Sequence, residues 1–176
     1  MIKYQRTSSL KDLKKKELLL DISMRFAFVL GADSRIRMID LETGLVQILS
    51  NSNASAVTFL LGGISLMSID KSGSISQGFV VRDDKGQPGL EKIRSFPADN
   101  KSEKLILATE QRRKGFVSLS AEGDIEIFHA TAHRQVFSEN LLKQKPMLAA
   151  LSPRANRLLV IDDLNVFTVF EIDNQH

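Results

Sequence analysis

Four stretches of this chain repeat one pattern, and that pattern constrains the fold more than any other feature of the 176 residues. Each stretch is an apolar run alternating at period 2, a polar turn, and a second apolar run ending near an acid. They are RFAFVLGADSRIRMIDLETGLVQIL (25–49), ISLMSIDKSGSISQGFVVRDDKG (64–86), GFVSLSAEGDIEIFHATAHRQVF (115–137) and ALSPRANRLLVIDDLNVFTVFEID (150–173). The first apolar residues after the turns are Ile36, Ile75, Ile125 and Val166, at intervals of 39, 50 and 41 residues. Helical repeats would need apolar spacings of three and four. Here β-branched and aromatic residues alternate, as in Ile125-Glu126-Ile127-Phe128, which suits strands. The turns have hairpin chemistry: Ser72-Gly73 and Glu122-Gly123 bring glycine where φ is positive. Ala32-Asp33-Ser34 and Asp163-Leu164-Asn165 offer aspartate or asparagine instead.

Antiparallel units repeating every 40 to 50 residues or so are the blades of a β-propeller. The expected fold class is all-β, with about four WD-repeat-like blades over 17–50, 55–97, 104–139 and 146–176. Flanking runs supply the remaining strands. Leu18–Ile22, Ala56–Leu60, Leu105–Thr109 and Met147–Leu151 are expected innermost, and Leu45–Leu49, Leu90–Phe96 and Gln135–Ser138 outermost. The fourth repeat has no outer strand. Residues 1–16 form a basic tail in which Ile2–Gln5 could complete the last blade as an edge strand. Alternatively, Ser9 and Asp12 cap a short helix with Leu10, Leu13 and Glu17 on one face. Four blades is the lower limit for a closed ring, so a partial propeller, or a fragment of a larger one, is expected. Self-association through open blade edges is a corresponding expectation.

Charge has to be located before it is interpreted. The tail holds Lys3, Arg6, Lys11, Lys14, Lys15 and Lys16 against Asp12, a local +5, while the whole chain is only +3. The folded body is therefore slightly acidic, and aromatics make up only 6% of residues. Nucleic acid is not an expected partner, since its binders spread basic residues over a face and interleave aromatics. The apolar stretch Ala56–Ile69 is broken by Gly62-Gly63 and falls short of the roughly 20 residues of a spanning helix, so no membrane span is expected. The chain has no cysteine, which removes disulfides, thiolate metal sites and thiol catalysis.

Catalytic patterns are thin. His129 and His133 are four apart, but one closes an expected strand and the other lies in the next turn, so the helical metal-ligand spacing has no meaning there. Gly62-Gly63 joins two strands rather than opening a helix, so it is not a phosphate loop. Asp70, Asp83-Asp84 and Asp162-Asp163 stand in or beside turns, where aspartate bonds its own backbone. No enzymatic activity, metal or cofactor is expected. One cluster suits an anion or an acidic partner: Arg112, Arg113 and Lys114 in a connection of the third repeat, with Arg154 and Arg157 in the corresponding connection of the fourth.

The stretches TEQRRKGFVSLSAEGDIEIFHATAHRQVF and ALSPRANRLLVIDDLNVFTVFEIDNQH, with GGISLMSIDKSGSISQGFVVRDDKG before them, resemble a large extra-membrane insert of some proteobacterial phosphate ABC-transporter permeases. The likeness runs from about Arg25 to His176. In that family the insert follows the first transmembrane helix and precedes the other permease helices. The resemblance implies a periplasm-facing, non-catalytic domain of an inner-membrane phosphate importer whose ATP is hydrolysed by another subunit. Expected partners are the other transporter subunits and the phosphate-binding protein. It also implies that the chain is the C-terminal portion of a longer insert. No transport residue can be carried over. A freestanding WD-repeat-like interaction scaffold in the cytosol is the alternative.

Overall fold

The period-2 runs fold as strands throughout. The computed structural model describes Thr7, Leu10 and residues 15–20, 25–60, 65–96, 103–109, 115–129, 134–152 and 156–173. Within these, fifteen strands form four antiparallel sheets, and every sheet is a meander of sequence neighbours. Blade 1 contains β1 (Lys15–Leu20), β2 (Phe26–Gly31), β3 (Ile36–Asp40) and β4 (Val46–Ile48). Blade 2 contains β5 (Ala56–Leu60), β6 (Ser65–Ile69), β7 (Ile75–Arg82) and β8 (Pro88–Phe96). Blade 3 contains β9 (Lys104–Thr109), β10 (Gly115–Ser120), β11 (Asp124–His129) and β12 (Arg134–Asn140). Blade 4 has three strands, β13 (Pro146–Leu151), β14 (Arg157–Asp162) and β15 (Phe167–Glu171). Among the described residues there is no helix, and so none long and apolar enough to cross a membrane.

The inner and outer strands fall where expected to within a few residues, apart from the first. β1 begins at Lys15, inside the expected tail, because its partner β2 runs on to Gly31 and a bulge lets Lys15 pair with that glycine. Glu17, expected on a helix face, therefore lies in a strand. Ile2–Gln5, Ser9 and Asp12 lie outside the described residues.

Aspartates shape several of the turns. Asp70 Oδ1 accepts the N–H of Ser72 at 2.8 Å and of Ser74 at 3.1 Å, and Asp162 Oδ1 does the same for Leu164 and Val166 at 2.9 and 3.0 Å. Asp83 repeats the motif with Lys85 and Gln87. In the first hairpin the left-handed position falls on Ser34, with φ 66°, rather than on the expected aspartate. Asp33 instead accepts the N–H of Arg35 and holds Arg37, and these bonds draw its carboxyl down to a pKa of about 2.

The blades stack through alternate faces. β2 and β3 turn Phe28, Leu30, Ile36 and Met38 against Val57, Phe59 and Leu66 of blade 2. The other face of blade 2 meets Phe116 and Phe128 of blade 3 through Leu60, Met67, Ile69, Ile75 and Phe96. Blade 3 in turn meets Leu158 and Val160 of blade 4 through Val117, Leu119 and Ile125. A strand covered on both faces can be apolar at successive positions, which explains the fully buried Ser-Leu-Met-Ser-Ile of β6. The contact between blades 2 and 3 includes an aromatic cluster. Phe116 and Phe128 stack with centroids 4.8 Å apart, and Phe96 meets Phe116 edge-on at 5.1 Å. Such pairs add about 0.5–1.5 kcal/mol each beyond the area they bury. On the outer rim, Ser50 crosses from blade 1 to bridge Gly89 in β8: Leu90 N–H donates to Ser50 O at 2.9 Å.

Two turn glycines separate conformational from steric demand. Gly86 and Gly123 both have positive φ, 77° and 97°, but a Cβ on Gly86 meets open space while one on Gly123 runs into the carbonyl oxygen of Leu142. Gly86→Ala is expected to cost about 1 kcal/mol from the backbone alone. Gly123→Ala should cost roughly twice that or more, because the turn must also shift. Urea unfolding of the two variants compares them directly, and equal losses would contradict the close approach at Leu142.

Candidate functional site

Of the basic residues expected to form a binding surface, Arg112, Arg113, Lys114 and Arg154 lie outside the described residues. Arg157 corrects its expected place: it opens β14 and is not part of the connection before it. Ser152 Oγ accepts the N–H groups of Asn156 and Arg157 at 3.2 and 3.0 Å, closing the connection so that the strand starts there. The Arg157 guanidinium is 3.9 Å from Glu171, its register partner on β15, and both side chains are exposed. Its charge thus faces an adjacent carboxylate. His129 ends β11 opposite Arg134, and His133 is outside the described residues. Among the described residues no three His, Asp or Glu side chains gather as metal ligands.

The chemistry that sequence reasoning missed is internal. Lys104 Nζ lies 3.3 Å from Glu126 Oε1, with 0% and 1% of their side chains exposed. Ser118 Oγ is 3.5 Å from the same carboxylate oxygen, and Glu126 Oε2 has no hydrogen-bond partner. The register explains the meeting. Lys104 pairs with Ser120, and Ser118 pairs with Glu126, so all four belong to the face of blade 3 that turns towards blade 2. Within blade 2, on the face turned towards blade 3, Gln77 Nε2 donates to Ser65 Oγ at 3.0 Å, a second buried polar contact. Burial pushes the Glu126 carboxyl above its usual range, the neighbouring Asp124 adds to this, and Lys104 and Ser118 pull it part of the way back. Glu126 alternates with Ile125 and Ile127, which in sequence suggests a solvent face. Only the knowledge that both faces of blade 3 are covered places it inside. Lys104 directly precedes the expected strand Leu105–Thr109, where an interior cation is not anticipated.

Two surface features remain. A shallow groove of about 230 Å³ runs along the rim where blade 1 hands over to blade 2, lined in part by Ser50, Asn51, Arg82, Asp83, Gln87 and Glu91. Its charges are mixed and already engaged locally, as in the 2.7 Å bond from Arg82 to the Gly86 carbonyl. The second feature is the face of blade 4 turned away from blade 3. There Leu148 is 63% exposed, Phe167 68% and Val169 50%.

The solved structures decide the architecture. The β-propeller domain of Cps50 (Swd1) from Myceliophteria thermophila matches with a TM-score of 0.70 at 12% identity, over 90% of this chain and 54% of that one. The fold is a β-propeller. At this identity the likeness establishes the fold alone, and the four blades span about half the length of the solved domain. No family model matches the sequence, and no curated protein matches it.

The buried pair yields a thermodynamic signature. Lys104→Met is expected to cost about 3–5 kcal/mol in urea unfolding, because it leaves Glu126 buried without a counter-charge. Adding Glu126→Leu should restore most of that loss, and two additive losses would mean the groups do not interact. The raised Glu126 pKa sets the pH dependence as well. Folding is favoured by the neutral carboxyl, so this contribution is full below the ordinary glutamate value of 4.5 and is lost as pH rises through the raised value. The stability difference between wild type and Glu126→Gln should therefore drift against wild type from pH 4.5 upward. A difference that does not vary with pH would contradict this.

Proposed function

We propose that the chain is a non-catalytic docking domain, the periplasm-facing insert of a phosphate ABC-transporter permease. The resemblance of the stretches Thr109–Phe137 and Ala150–His176 to that insert carries this reading. A propeller suits the role, since its sheets form a rigid frame and its connections gather at two rims where partners dock. In this reading Arg112, Arg113 and Lys114, with Arg154 and Arg157, contact an acidic patch of the phosphate-binding protein or of another transporter subunit. A second reading, a WD-repeat-like interaction scaffold with no transporter attached, fits the same propeller fold. Fold does not choose between them.

The source gene separates the two readings. The permease reading expects an apolar helix of about 20 residues encoded upstream in the same frame and several more downstream. A frame confined to this segment would overturn it. The docking role has its own test. Replacing Arg112, Arg113 and Lys114 together by alanine is expected to weaken capture of a purified transporter component by about tenfold or more, with steep salt dependence. Unchanged capture of every component would remove these three residues from the assignment.

A further inference from the structure

We draw no further inference here: the strongest candidate, the apolar face of blade 4 turned away from blade 3, where Leu148, Phe167 and Val169 stand exposed, carries nothing because nothing in the structure shows what covers it.

Discussion

Burial of sheet faces against neighbouring sheets is the constraint on which this molecule depends. A three- or four-stranded meander has two faces and cannot bury either by itself. Blades 2 and 3 have both faces covered, and their shared boundary holds the most specific packing, the Phe96, Phe116 and Phe128 cluster. Everything else follows from that stacking: which strands can be apolar at successive positions, where an acid becomes an interior group, and why the terminal blade carries more apolar surface than one neighbour can cover.

The ion pair of Lys104 and Glu126 belongs to the same boundary. Replacing a buried pair by apolar groups often costs little, so its presence is not explained by stability. Its geometry is tied instead to strand register. Glu126 can be accommodated only where the β9–β10 register brings Lys104 beside Ser120, and a one-residue slip of β9 would turn the lysine to the other face.

Much of this architecture was legible in the sequence because strand alternation and turn chemistry are local. Gly73, Gly123 and Asn165 take the left-handed positions that their turns require, and Asp70, Asp83 and Asp162 bond their own backbones. What sequence alone did not convey depends on side-chain partners that strand alternation and tight-turn chemistry do not specify. Ser34 rather than Asp33 adopts positive φ because Asp33 is held by Arg37 two positions into the next strand. The inward turn of Glu126 depends on a neighbouring blade, and period 2 cannot tell which of two faces is wet. Arg157 was misplaced by one residue because Ser152 caps the connection across a sequence separation of five. In the apolar run Val166-Phe167-Thr168-Val169-Phe170, Phe167 to Phe170 lie in β15, and of its two faces only one is covered by blade 3.

The crossing of Ser50 onto β8 gives the molecule an uneven mechanical character. Blades 1 and 2 are joined by backbone hydrogen bonds at the rim, Ser50 N–H to Pro88 O at 3.3 Å and Leu90 N–H to Ser50 O at 2.9 Å, in addition to their apolar contact. Opening that seam breaks main-chain pairing, so the first two blades are expected to open as one cooperative unit in amide exchange. Blade 4 is held to blade 3 chiefly by side-chain packing, and it is the element that can peel away while the rest keeps its shape. A propeller assembled this way is expected to loosen at blade 4 first.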